Sequence, residues 1–420
     1  MSKNPNRRIL ILNSEWKEYK IKDIAKMNSA SIMTKDNYEF INYLDTGNIT
    51  EGKIEEIQKL IKGIDKFPSR AKRKVSLGDI IYSTVRPNLK HYGIVKESVP
   101  NLIVSTGFAV LSPNKNKVEP YFLYSYLSLS PIIEYLASVA ETSTTTYPSI
   151  KPSVIENLSI NLPPLPEQKR IAEILSSLDD KIELNNKINK NLEEMAQAIF
   201  KQWFVDFEFP DENGNPYKSS GGKMIQSELG EIPAGWCVKS LNDIADYLNG
   251  LALQKFRPTG EEYIPVIKIK ELKNGISENT EKASPELDKK YIIQDGDILF
   301  SWSGSLEVVI WCGGTGALNQ HLFKVTSKKY HKWFYYLWTK FYLEKFQRIA
   351  ASKATTMGHI KREDLDKSKV LVPTEKELNQ INEILDPVLE NIVCKNIENR
   401  LIVKTRDELL PKLMSGEITV

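Results

Sequence analysis

Two copies of one ordered set of motifs, 210 to 220 residues apart, run through this chain. Trp16 is followed by Asp23-Ile24-Ala25 and Trp236 by Asp243-Ile244-Ala245, an offset of 220. Gly78-Asp79-Ile80 recurs as Gly296-Asp297-Ile298 at 218, and the apolar pattern of residues 104–111 (VSTGFAVL) recurs in 318–325 (LNQHLFKV) at 214. Ile150-Lys151 matches Ile360-Lys361, Pro163 matches Pro373, and IAEIL at 171–175 matches INEIL at 381–385, all at 210. The order is kept while the offset shrinks, as loop insertions and deletions would do to two copies of one unit. Whatever one copy folds into, the other must resemble, so the chain reads as a pseudo-two-fold pair of half-chains.

Each half has a mixed part and then a long helix. Short β-branched or aromatic runs at 79–84 (DIIYST), 102–104, 263–270 (YIPVIKIK) and 297–301 (DILFS) are bounded by Gly, Pro, Asn and Ser and predict strands. The aromatic stretches 120–140 and 332–351 read as helices whose rings form core. In the long helices Ile171, Leu175, Leu178, Ile182, Asn185, Asn189, Leu192, Ala196 and Ile199 alternate spacings of four and three, the pattern of a coiled-coil seam. Ile381, Leu385, Val388, Ile392, Lys395, Asn399, Ile402, Arg406 and Leu409 keep the same register 210 residues later, and both seams turn polar near the middle. Two such helices are expected to pack on each other. Pro387 falls inside the second seam, where proline removes a hydrogen bond, so Asp386-Pro387 is also readable as a helix start. A helix over 171–199 would be about 43 Å long, comparable to the ~34 Å turn that separates successive major grooves. The same rod could equally separate two protein-binding modules.

Composition narrows the function classes. No apolar run reaches the roughly 18 residues of a membrane span and residues 1–12 lack a signal-sequence core, so a cytoplasmic protein is expected. Cys237, Cys312 and Cys394 are far apart, against a disulfide framework or a cysteine zinc site. Net charge is only +3, but it is uneven: residues 1–160 hold 22 Lys+Arg against 16 Asp+Glu, and 371–420 hold 6 against 9. That places polyanion contact in the long segments rather than the helices. Asn161-Leu162-Pro163-Pro164-Leu165 is the nearest string to an amino-methyltransferase motif, with a residue inserted and no aromatic; it reads as a linker. Gly222-Lys223 precedes Met224 and fails the phosphate-loop pattern. His91, His321, His331 and His359 show no metal-ligand spacing.

Residues 162–175 (LPPLPEQKRIAEIL), Trp203-Phe204-Val205-Asp206-Phe207, 230–236 (GEIPAGW), 296–300 (GDILF), Asn319-Gln320-His321 and 409–418 (LLPKLMSGEI) together resemble the hallmarks of type I restriction-modification specificity subunits, over essentially the whole chain. The resemblance implies an α+β fold: two mixed α/β target recognition domains at 1–160 and 208–370, separated by two long conserved helical regions at 161–207 and 371–420 that form an antiparallel coiled coil. It implies that each recognition domain reads one half of an asymmetric bipartite site in double-stranded DNA. It implies two modification subunits that methylate adenine and restriction subunits that translocate and cleave, with S-adenosylmethionine, ATP and Mg on those partners and no cofactor or catalytic residue in this chain. An enzyme fused to a coiled coil would need a cofactor or metal constellation, and a protein scaffold would show no preference for DNA over other polyanions.

Candidate DNA contacts follow from position and chemistry. The segment 83–92 follows a strand and carries Arg86, Asn88, Lys90 and His91, groups that reach phosphates and base edges. Its match in the second half is Ser301, Trp302 and Ser303, with Gly304 and Ser305 after them. Thr144, Thr145, Thr146 and Ser149 precede the first helical region; Thr355, Thr356 and His359 stand at the corresponding place, although such clusters are commonly plain solvated loops. Lys268, Lys270, Gln320 and His321 complete the set, with His321 and His359 also readable as structural loop histidines. The basic run 70–74 (RAKRK) is either a phosphate-contacting strip or a solvated face.

Overall fold

A computed structural model describes residues 15–33, 35–142, 147–352 and 358–420. The chain divides into two compact units, Met1–Asp180 with Val403–Val420, and Lys181–Ile402.

In the first unit the strands of the two larger sheets are β1 (Ala25–Met27), β2 (Phe40–Leu44), β3 (Gln58–Ile61), β4 (Ala71–Lys74), β5 (Ile80–Ser83), β6 (Tyr92–Ile94), β7 (Leu102–Ser105) and β8 (Phe108–Pro113). They form two four-stranded sheets, ordered β3-β2-β7-β4 and β1-β8-β5-β6. The β2–β7 pair is parallel, Leu102 opposite Asn42, while the others in these sheets are antiparallel. Helices α1 (Pro120–Leu127) and α2 (Ser130–Glu141) follow. Glu119 caps α1 by accepting from the Phe122 amide at 2.7 Å, and Pro120 fits a first helical turn, where its missing N–H costs nothing. The rings of Phe122 and Tyr126 lie in the core with Trp16, Ile21 and Ile24, as the sequence predicts.

The long helix α3 is Leu165–Phe204. In the second unit β9 (Asp246–Asn249), β10 (Ile264–Ile267), β11 (Lys282–Ala283), β12 (Ile292–Ile293), β13 (Ile298–Ser301), β14 (Val308–Ile310), β15 (Gly316–Leu318) and β16 (Leu322–Thr326) repeat the plan. Their sheets are ordered β11-β10-β15-β12 and β9-β16-β13-β14, and β10–β15 is again the parallel pair. The order and the position of the parallel pair match the first unit strand for strand. The strand expected over 263–270 ends at Ile267. Glu271 folds back onto the Lys268 amide at 3.2 Å and starts a short helix, Ile269–Asn274. After α4 (Lys332–Phe341) and α5 (Leu343–Ser352), the chain ends in the 41-residue α6 (Glu375–Ser415).

Asp386-Pro387 is not a helix start. The start is at Thr374, whose Oγ accepts from the Glu377 amide at 3.4 Å while Glu377 Oε2 accepts from the Thr374 amide at 3.0 Å, a reciprocal cap. Helix α6 continues through Pro387 because Leu385, Val388, Leu389 and Ile392 are buried in the second unit's core, and that burial offsets a cost of about 3 kcal/mol for an internal proline.

The seams meet as antiparallel partners. In the second unit Asn185 Nδ2 donates to Asn399 Oδ1 and Asn189 Nδ2 to Asn396 Oδ1, both at 2.9 Å, so one index rises as the other falls. Asn399 Nδ2 donates to Asn186 Oδ1 at 2.9 Å. In the first unit Arg406 Nη1 meets Asp179 Oδ1 at 2.7 Å. The polar interruption legible in both seams is thus a hydrogen-bonded layer, a device that fixes register at some cost in stability.

Candidate nucleic-acid interface

Both units build the same junction from three remote segments. In the first unit β5 runs out of the sheet into residues 84–86. There Thr84 N donates to Gly107 O and Arg86 N to Pro148 O, each at 2.9 Å, and Ile150 N donates to Thr84 O at 2.9 Å. Val85 and Ser149 form an isolated antiparallel bridge. In the second unit β13 runs out likewise. Trp302 N donates to His321 O at 3.3 Å, Gly304 N to Gly358 O at 2.8 Å, Ile360 N to Trp302 O at 3.0 Å, and Ser303 bridges His359. Every bond in one unit has its counterpart 210 to 218 residues on. Paired backbone groups hold the loop ends, so the side chains are what these loops offer to a ligand.

The first junction opens into a cleft of about 610 Å³ whose lining includes Thr46, Arg70, Arg86, His91, Tyr147 and Ser149. A second cleft of about 400 Å³, lined by Tyr43, Asp45, Asn48, Gln58 and Ser69, also shares Arg70. Arg86 is exposed, with its guanidinium 5.3 Å from the centroid of the Tyr147 ring. Its backbone is left-handed, φ 47°, and Lys90 shares that region at φ 57°. For a side-chain-bearing residue this costs roughly 1–2 kcal/mol. Such strain tends to collect at functional sites. Asn88 is exposed. Lys90 is exposed and paired with Glu51 at 2.5 Å. His91 is half-buried, its Nδ1 2.7 Å from the Ile49 carbonyl oxygen.

The basic run is divided by the strand it forms. Arg70 and Lys72 are exposed, whereas Lys74 is held by Asp36 at 2.7 Å and Arg73 turns its Nε inward. The Asp36 carboxyl is lowered below the ordinary carboxylate value, chiefly by its bond to Lys74. The four cations of this strip are therefore reduced to two outward ones, Arg70 and Lys72, of which Arg70 lines both clefts.

The second junction is aromatic. Trp302 donates its Nε1–H to Asn249 Oδ1 at 2.8 Å, and its ring lies 5.8 Å from that of His321 and 6.3 Å from that of His359. Ser303 Oγ is hydrogen-bonded to His321 Nδ1 at 2.9 Å, and Gln320 Nε2 stands 3.3 Å from His321 Nε2. Ser301 corrects the sequence expectation: it is fully buried, its Oγ donating to Ser305 O at 2.8 Å and accepting from Glu307 N at 2.7 Å, so it braces the loop from inside. Ser303 is also buried, with its Oγ engaged by His321. Lys268 is half-buried and bound to Glu281 at 2.5 Å, whereas Lys270 is exposed on the short helix. That helix reaches the junction through Lys273 Nζ, which donates to Ser305 Oγ at 2.6 Å. Thr144, Thr145, Thr146, Thr355 and Thr356 lie outside the described residues.

Sequence reasoning missed Thr46, Tyr147 and Asn249. Tyr147 borders the Thr144–Thr146 run and had a positional signal; Thr46 and Asn249 arrive only through strand pairing. Among the described residues no group of three or more His, Cys, Asp or Glu is placed to hold a metal ion, and no helix is long and apolar enough to cross a membrane.

The family model for the type I restriction modification DNA specificity domain matches residues 13–194 and 233–402. The type I restriction enzyme HindI specificity subunit of Haemophilus influenzae is 27% identical over 463 residues, covering 96% of this chain and 100% of that protein. The MjaIX specificity subunit of Methanocaldococcus jannaschii is 29% identical over 441 residues, covering 97% and 94%. The crystal structure of the S subunit of a type I restriction-modification system from M. genitalium shares the fold, with a TM-score of 0.53 at 15% identity over 96% of this chain and 98% of that one.

Proposed function

We propose, from the premise that this chain belongs to the type I restriction modification DNA specificity family, that its two junctions are the surfaces by which it reads DNA. The chain is the DNA-specificity subunit of a type I restriction-modification complex and performs no chemistry itself. The observation that carries the reading is the duplicated junction: one backbone frame, built twice, presenting Arg, Asn and His in one unit and Trp, Gln and His in the other. A shared frame with different side chains suits two half-sites of different sequence. The exposed Arg70 and Lys72 suit phosphate contact, which positions the protein, and the junction side chains suit base edges, which specify the sequence.

In this reading residues 1–160 and 208–370 act as the two recognition domains, and α3 and α6 fix the distance between the half-sites while docking two modification subunits. Adenine methylation, and translocation and cleavage by restriction subunits, take place on those partners, which use S-adenosylmethionine, ATP and Mg.

The test is a salt titration of the full chain, assembled with its modification subunits, on a duplex carrying its bipartite site and on random duplex. Affinity should fall steeply with salt on both, with the cognate duplex bound at least about 10³-fold more tightly at physiological salt. Lys72→Glu should weaken both duplexes alike. Salt-independent binding, or equal affinity for the two duplexes, would overturn the assignment.

A further inference from the structure

The two junctions differ most at one backbone position. Arg86 and Gly304 are equivalents: each follows its strand at the same place, each donates its amide to the matching carbonyl, Pro148 O or Gly358 O, and each has a positive φ, 47° and 66°. Glycine takes that conformation freely and arginine does not. The first unit therefore bears strain to put a long, planar, five-donor side chain where the second has none. The side chain is also held: its guanidinium lies over the Tyr147 ring at 5.3 Å and lines the cleft shared with Arg70 and His91. Among the described residues no carboxylate forms an ion pair with it.

We propose that Arg86 is a specificity-determining residue that reads one guanine, through O6 and N7 in the major groove, within the half-site of the first recognition domain. A guanidinium stacked on a ring is pre-oriented as a fork, which suits a bidentate acceptor pair, and Arg on guanine is the commonest such contact. Gly304 supplies no equivalent, so this contact belongs to one half-site and distinguishes it from the other. The inference rests on the DNA-reading function proposed above.

Three variants of the full chain, each expressed with its modification subunits, test it: Arg86→Gly, Arg86→Lys and Arg86→Ala. Arg86→Gly adopts the residue of the other copy and relieves the strain, so it should fold at least as well as the parent. Mapping methylated adenines should show one guanine of the first half-site relaxed in all three variants, with the second half-site and the spacer unchanged. In binding assays, replacing that guanine with 7-deazaguanine should weaken the parent complex on the order of 10-fold or more and leave Arg86→Gly indifferent. Rescue by Arg86→Lys, or a uniform loss of affinity with every base preference kept, would make Arg86 a phosphate clamp and overturn the inference. If the parent chain directs no bipartite methylation at all, the DNA-reading function itself fails, a distinct outcome.

Discussion

The asparagine layer between α3 and α6 makes a quantitative claim about stability and register. Asn185 is fully buried, with its Nδ2 donating to Asn399 Oδ1 at 2.9 Å and to Glu398 Oε2 at 3.1 Å. Its Oδ1 accepts from no group among the described residues. Asn399→Ala removes one acceptor from that buried amide and the donor that Asn186 receives. An orphaned buried polar group costs about 1–3 kcal/mol, and Asn186 is exposed to solvent, so a loss of about 2 kcal/mol is expected. Replacing both partners, Asn185→Leu with Asn399→Leu, should return stability to the parent level or above it, because the unmet carbonyl goes too. Native-state hydrogen exchange of amides in 181–200 and 388–402 reads the local opening free energy. Asn185→Leu, Asn399→Leu and the variant carrying both should show a coupling of about 0.5–3 kcal/mol. Single losses of a few tenths of a kcal/mol that simply add in the double variant would refute the layer as a coupled unit. The double variant should also methylate with a less uniform half-site spacing, since an apolar layer no longer penalises a slipped register.

Inserting four residues into α3 away from this layer should lengthen the spacer, because about 6 Å of added helix corresponds to one or two base pairs at ~3.4 Å each; an active complex with an unchanged spacer would show that the helices do not set the distance. Arg400 donates to both carboxylate oxygens of Asp295 at 2.7 Å and holds that carboxyl below its ordinary pKa. A depressed folded pKa contributes stability above the unfolded value that is lost as pH falls through the folded one. The stability difference between the parent and Arg400→Met should therefore be flat from about pH 5 to 8 and shrink only below about pH 4. A difference that varied between pH 5 and 8 would assign the effect to another group.

Much of the fold was legible because it is local or repeated. The four-three spacing of the seams fixed both long helices, and their polar centres at Asn185, Asn189 and Asn399 emerged as the hydrogen-bonded layer. The shared motif order foretold two copies of one plan, and the two sheet orders indeed repeat, with a parallel pair at the same place in each. Non-local contacts were not legible. Nothing near Ser301 in sequence says that its hydroxyl turns inward to Ser305 and Glu307, and nothing near Lys268 announces Glu281. Thr374 and Glu377, three residues apart, form the cap that starts α6 twelve residues before Asp386, so the proline inside the seam does not mark the helix start. Arg86 stood out for its charge. Its equivalence to Gly304, which gives that charge a meaning, appears only once both backbones are seen.

The most direct test of the division of labour is an exchange of residues 1–160 for the first recognition domain of another family member, followed by genome-wide mapping of methylated adenines. The half-site read by the first domain should change to that of the donor, while the second half-site and the spacer stay as they were. A folded, methylating chimera in which both half-sites changed, or neither did, would contradict the claim that each half of this chain reads its own half of the DNA.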